Sequence, residues 1–288
     1  MGNENGIQGE LTKLSAGLDA LETRTTVRRS WSKSLLNYLA PGLGIILILI
    51  IWQSIVLLKL QPDYVLPSAE QVFHSLKNQF EQDILWQSTL NSLRRAFQGF
   101  VLAILIATPI GIALGMNKIL RAIFRPILTG LQQLPSVAWV PAAIIWFGLS
   151  NATIYAVLLL GAVPSIANGL TAGIDHIPKQ YLKVGQVLGA NRFQTIRHIV
   201  LPASWPGYLA GLEQGWAFAW RSLMAAELIA VSPALGPGLG QMLDVGRQLG
   251  DMSLVLGSIF MIMMTGVLVE RLVFSPLRER TLRVRGLT

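Results

Sequence analysis

Several stretches of about twenty residues with almost no charge, separated by short polar segments, constrain this chain more than any motif in it. GLGIILILIIWQSIVLL, residues 42–58, is the plainest of them. A hydrocarbon layer offers no water to unpaired backbone groups, so a run of this kind must satisfy its own N–H and C=O groups along the segment. An α-helix does so, and about 20 residues reach across the ~30 Å layer. Charged residues make up only 13% of the 288 residues, against about 25% in soluble domains. The expected fold is therefore all-α and polytopic, organised by a bilayer.

Six spans are expected. The first covers about Tyr38 to Leu60. Pro67-Ser68 with Gln71 then reads as a capping box, opening a short amphipathic helix with Val72, Phe73, Leu76 and Phe80 on its apolar face, lying in the outer interface. The second span covers roughly Leu93 to Met116. The third, Ile119 to Phe147, is kinked by Pro126, Pro135 and Pro141. The fourth covers Ala152 to Leu170, the fifth Ala203 to Val231 and the sixth Leu254 to Phe274. Residues 1–34 form a polar tail with a faint stripe of Leu11, Leu14, Leu18 and Leu21. Residues 35–277 form the membrane domain, and residues 278–288 a basic tail.

The charges orient these spans. Seventeen of the 23 lysines and arginines fall in the N-terminal tail, the turn at 117–126, the segment 171–201 and the C-terminal stretch from Glu270. Lys59, Lys77, Arg94, Arg95 and Arg247 fall on the other side, and Arg221 lies within a span. The positive-inside rule places both termini and the central loop in the cytoplasm. Topology thus accounts for the net charge of +8, and nucleic acid is not needed as a partner.

Chemistry is excluded on several counts. The chain has no cysteine, so disulfides, thiolate metal sites and cysteine nucleophiles are ruled out. His74, His176 and His198 are scattered, and no metal site is expected. No G-x-x-x-x-G-K-[ST] loop is present to cradle ATP, and no nucleophile motif occurs. The expectation is a chain that is not an enzyme, with no catalytic residues and no cofactor of its own.

The central loop, residues 173–201, holds the most informative segment, YLKVGQVLGANRFQTIRHIVLP from Tyr181 to Pro202. Tyr181, Val184, Val187 and Leu188 fall at helical spacing, and so do Phe193, Ile196, Ile199 and Val200. Between them Gly189 can turn the chain through positive φ. Leu201-Pro202 is expected to end the second helix. A helix–turn–helix at a membrane surface makes a stiff knob, suited to pushing on another protein.

Gly189, nine residues, Ile199, any residue and Leu201-Pro202 resemble the cytoplasmic loop of ABC-importer permeases, the inner-membrane subunits of binding-protein-dependent transporters. The family's loop begins Glu-Ala-Ala, three residues, Gly; Lys183-Val184-Gly185 stand there in this chain. The stretch LPSVAWVPAAIIWFGLS and the segment AWRSLMAAELI resemble the branch that handles sulfonates, taurine, nitrate or bicarbonate. The resemblance implies a type I importer core (MetI-like) in a bacterial inner membrane. It implies a pairing of two permease copies, two ABC ATPases that hold ATP and Mg, and an extracytoplasmic substrate-binding protein. Lys183, Val184, Gly185, Gly189, Ala190, Asn191, Arg192, Ile199, Leu201 and Pro202 would couple the permease to its ATPase. The implied cargo is a small anion, first an aliphatic sulfonate and second nitrate or another oxyanion. In the family, a Gly-rich loop corresponding to residues 232–248 lies at the outer face.

The fifth span adds candidates for the path itself. Gly207, Gly211 and Gly215 form one small-residue ridge for close helix packing. The same span carries Glu213, Arg221 and Glu227, and ionisable groups inside a membrane usually face protein or water. Either Arg221, beside Trp216 and Trp220, meets an anionic substrate through its guanidinium fork, or it pairs with an acidic residue of a neighbouring helix. A rival from another class is a transporter driven by an ion gradient, with Glu213 or Glu227 as its proton site.

Overall fold

The structure is a computed structural model and describes residues 31–284 apart from Asp63. Most of the expected N-terminal tail, with its leucine stripe, lies outside the described residues, as do the last four residues of the C-terminal tail. All regular structure among the described residues is helical. Helix α1 (Trp31–Leu57) is a unit of its own. From Leu43 to Ile51 its apolar side chains are broadly exposed, the kind of surface a lipid layer covers.

The second unit begins at Gln61. Helix α2 (Ala69–Glu81) opens on the expected capping box: the Gln71 amide donates to Ser68 Oγ at 3.2 Å and the Ser68 amide donates to Gln71 Oε1 at 2.8 Å. Its apolar face divides. Val72 is buried, while Phe73 and Phe80 remain exposed.

Helix α3 (Ile84–Met116) starts nine residues ahead of the expected second span. Arg94 and Arg95 therefore lie about three turns inside a helix rather than at the first turn of one. The expected third span is not one kinked helix. It is divided into α4 (Lys118–Gln133), a 3₁₀ turn (Ser136–Trp139) and α5 (Val140–Phe147). The break falls at Leu134, whose backbone is extended, because the ring of Pro135 disfavours the helical region for the residue ahead of it.

Helix α6 (Asn151–Asp175) is the centre of the fold, packed between α3 and α9 (Leu201–Ile229). Glycines make this approach possible. A Cβ added at Gly169 of α6 would sit 2.3 Å from the Gly211 Cα, and one at Gly207 would sit 2.4 Å from the Gly173 Cα. On the other side, a Cβ at Gly115 of α3 would meet Ile174 at 2.3 Å. The ridge Gly207, Gly211, Gly215 is thus a packing surface, and backbone rather than side chains sets the helix separation.

After α6 come α7 (Lys179–Val187) and α8 (Arg192–Thr195). The expectation that Leu201-Pro202 ends the second short helix is corrected. A π turn (Ile196–Val200) joins α8 to α9 without interruption, and the Leu201 amide donates to the Ile196 carbonyl. The wider turn accommodates Pro202, which has no N–H of its own and sits in the first turn of α9.

A 3₁₀ turn (Pro233–Leu235), α10 (Leu239–Leu249) and α11 (Met252–Val269) follow. A second π turn (Glu270–Phe274) leads into α12 (Ser275–Val284). The basic residues from 278 to 284 thus continue a helix. Three helices among the described residues are both long and apolar enough to cross a membrane: α3, α6, and the rod formed by α11 and α12. The 29-residue α9 is as long, with ionisable residues along it.

Candidate functional site

Two regions bring the candidate residues together, at opposite ends of the helices. The first is the segment from Lys179 to Pro202. Gly189 has φ +72°, and the Ala190 amide donates back to the Gly185 carbonyl at 2.9 Å, closing α7 with a left-handed turn. Asn191 then caps α8: the Gln194 amide donates to Asn191 Oδ1 at 2.8 Å, and the Asn191 amide donates to Gln194 Oε1 at 2.9 Å. This second capping box fixes the angle between the two short helices. Gly185 is buried against Ile199, and a Cβ there would meet Ile199 Cδ1 at 2.5 Å. Gly185, Gly189, Ala190, Asn191 and Ile199 therefore form one folded unit. Lys183, Val184 and Arg192 stand on its exposed surface, and Leu201 and Pro202 carry it into α9.

The outer surface of this unit is apolar. Val187 is 86% exposed and Leu188 79%, with Tyr181, Val184 and Phe193 more than half exposed beside them. The helical spacing of these residues is present, yet among the described residues that face is left largely uncovered. Two ion pairs tie the helices above it together, one at the end of α6 and one near the middle of α9. Arg121 Nη1 donates to Asp175 Oδ1 at 2.6 Å, and Arg278 Nη1 donates to Glu213 Oε1 at 2.7 Å.

The second region lies at the far end of α9. Glu227 is fully buried. Arg95 Nη1 donates to its Oε1 at 2.8 Å, while Ser92 Oγ at 2.7 Å and the Gly240 amide at 3.1 Å donate to its Oε2. The other arm of Arg95 donates to the Leu235 carbonyl, and the Leu239 amide donates to Ser92 Oγ at 2.9 Å. One carboxylate therefore anchors α3, α9 and the Gly-rich segment between α9 and α10. A Cβ at Gly240 would fall 2.6 Å from the Glu227 Cβ, so a side chain there would push the segment off its anchor.

The path candidates are not all brought together. Trp216 and Trp220 stack with ring centroids 6.3 Å apart, Phe100 meets Trp216 edge-on at 5.3 Å, and Trp220 Nε1 donates to the Ile262 carbonyl. Both indoles belong to the core. They also line one wall of a groove of about 540 Å³ that includes Arg221 and Glu213. Arg221 is exposed; its Nε donates to the Ala217 carbonyl and its guanidinium lies 4.9 Å from the centroid of the Phe218 ring. Glu227 lies elsewhere, sealed with Arg95. The pairing of a buried arginine with an acidic residue of a neighbouring helix does occur, but at Arg95. Sequence reasoning counted Arg95, at the very start of the second span, among the charges of the outer side, and so missed the pair. An arginine followed directly by AFQGFVLAILIA was the available signal, since an ionisable group next to such a run needs a partner. Among the described residues no cluster of acidic and histidine side chains could hold a metal ion.

This helical core, with a capped two-helix unit at one end, is what the resemblance to importer permeases implies, and comparisons with known proteins bear on it directly. Residues 99–274 match the family described as the binding-protein-dependent transport system inner membrane component. The chain belongs to that family. It is a multi-pass membrane component of an ABC importer, and ATP hydrolysis lies in separate subunits. It is 30% identical over 215 residues to the taurine transport system permease protein TauC of Escherichia coli, covering 73% of this chain and 78% of the relative. It is 28% identical to the bicarbonate transport system permease protein CmpB of Synechococcus elongatus, covering 87% and 92%. It is also 31% identical to the riboflavin transport system permease protein RibX of Chloroflexus aurantiacus, covering 77% and 83%. In fold it matches a chain of the MetNI methionine ABC transporter in an inward-facing conformation, with a TM-score of 0.54 and 20% identity over 72% of this chain and 98% of the other. The core is MetI-like, and family membership excludes the ion-gradient transporter.

Proposed function

We propose that this chain forms the translocation path for a small organic anion, with a short aliphatic sulfonate such as taurine as the cargo. The taurine relative supports this choice. The bicarbonate relative supports a second reading, an inorganic oxyanion such as bicarbonate or nitrate. Two copies of the chain pair in the bacterial plasma membrane with both termini in the cytoplasm. Two ATPase subunits dock beneath them, and an extracytoplasmic binding protein delivers the cargo.

The observation that carries the mechanism is the exposed apolar surface of α7 and α8 on a unit with fixed internal geometry. An apolar face of this kind, left uncovered among the described residues, suits a protein partner. The Asn191–Gln194 capping box and the Gly185–Ile199 contact make it stiff. The unbroken helical path from α8 into α9 would carry a push on the knob directly into the core as a rigid-body movement. The residues named on that surface position the partner; they do no chemistry.

The test is uptake of labelled taurine by proteoliposomes holding the permease, the ATPase and the binding protein. Competition by ethanesulfonate and weak competition by nitrate or bicarbonate is the expected result. Competition by nitrate or bicarbonate alone would move the assignment to the inorganic oxyanion, and competition by riboflavin alone would remove the anion.

A further inference from the structure

We propose that Arg247 and Gln248 of α10, backed by the wall at the end of α9, form a binding site for the sulfonate head of a short alkanesulfonate. This rests on the anion cargo proposed above and deepens it by naming where the anion is met. The site is a concavity of about 420 Å³ lined by Leu228, Ile229, Val231, Asp244, Arg247 and Gln248.

Its construction points to an anion. Asp244 is 2% exposed, and its carboxylate faces into the protein. Arg247 Nη2 and Nε both donate to Asp244 Oδ1, at 2.6 and 3.1 Å, and Gln248 Nε2 donates to Oδ2 at 2.6 Å. The Arg247 side chain nonetheless remains 69% exposed while that of Asp244 is 4% exposed. The ion pair is therefore polarised, with its negative partner inside and its positive partner at the surface. A guanidinium carries five N–H donors. The two bonds to Asp244 leave three, including both on Nη1, in a plane fixed by the buried carboxylate. Preorganised planar donors suit the oxygens of a sulfonate or carboxylate better than a free lysine would.

The opposite wall sets the shape of the rest of the ligand. Leu228, Ile229 and Val231 are apolar, so an anionic head on Arg247 would place a short methylene stem against them. A bare oxyanion would leave that wall uncovered. The Asp244 side chain is 4% exposed and lies behind Arg247 and Gln248, which bond to its two oxygens, so it offers little to a cationic group on the ligand. An unsubstituted alkanesulfonate therefore satisfies the site as fully as an amino-substituted one.

The chain has no cysteine, which gives a clean background for a chemical test. Val231→Cys places a thiol on the wall, and the reagents are sulfonatoethyl methanethiosulfonate, itself an ethanesulfonate, and its trimethylammonium counterpart. With the full transporter in nanodiscs, the anionic reagent should react about tenfold faster than the cationic one after correction for their rates with a free thiol. Ethanesulfonate should slow it in competition. Arg247→Gln should abolish the preference, and Arg247→Lys should retain part of it. Equal rates in the Val231→Cys protein, or a preference that survives Arg247→Gln, would overturn the site. Protection by the binding protein with none by ethanesulfonate would also overturn it, since Arg247 would then be a protein contact. The two proposals fail separately. Sulfonate uptake without reagent preference removes this site alone, and preference without sulfonate uptake removes the cargo assignment alone.

Discussion

Arg95 and Glu227, 132 residues apart in sequence, meet at 2.8 Å between α3 and α9 with both side chains almost sealed from solvent. The pair fixes the Gly-rich segment to two helices at once through the Leu235 carbonyl and the Gly240 amide. A charge left alone in such a place has neither water nor a counter-ion, and removing one partner of a buried pair costs about 3–5 kcal/mol.

Glu227→Gln or Arg95→Gln alone should therefore lower the thermal midpoint of the solubilised protein markedly. Replacing both by methionine should cost less than either single change, because no buried charge is stranded. A double variant less stable than both single variants would show that the pair is not the anchor.

The contact between α6 and α9 makes a second prediction. Gly169→Ala inserts a methyl 2.3 Å from the backbone of Gly211, where no flexible side chain can move aside. Overpacking of this kind costs about 1–3 kcal/mol. Gly130→Ala on α4, where a Cβ meets nothing within 4 Å, should be neutral or slightly stabilising. The comparison is read from thermal unfolding of the two proteins side by side.

The knob is probed by geometry and by surface. Gly189→Pro forces a φ near −65° on a residue that holds +72°, and should leave the permease inserted while separating ATP hydrolysis from uptake. Normal substrate-stimulated hydrolysis and uptake in that variant would count against a fixed lever. Gly185→Leu should have the same effect, and Ile199→Ala should partly rescue it by vacating the space that the new side chain enters.

Val187→Glu and Leu188→Glu change side chains that touch solvent almost exclusively, so the fold should be retained. If the apolar surface is where the ATPase sits, copurification of the ATPase should weaken by about tenfold or more, equivalent to roughly 1.4 kcal/mol. Unchanged copurification would place the docking surface elsewhere.

The parts of the fold that were legible in the sequence are those set by local rules. Ser68 with Gln71, the positive φ at Gly189 and the glycine ridge on α9 each follow from residue type and spacing. The break at Leu134 was less legible: Pro135 announced a disturbance, but whether a proline kinks a span or divides it depends on the packing around it. The π turn ahead of Leu201 left no readable mark, because Pro202 is equally compatible with a helix start. Most hidden was the network around Glu227. Ser92 and Arg95 lie more than 130 residues from Glu227, and no periodicity connects them to it or to Gly240. The same holds for Arg247, whose neighbour Asp244 can be read from the sequence but whose facing wall, from Leu228 to Val231, cannot.

The central claim is that this chain is a gate moved by a partner that hydrolyses ATP. It is tested most directly by taurine uptake into proteoliposomes with the components omitted one at a time. Uptake should require the permease, the ATPase, ATP and the binding protein together, and should be indifferent to a pH or sodium gradient. Uptake by the purified chain alone, driven by such a gradient, would contradict it.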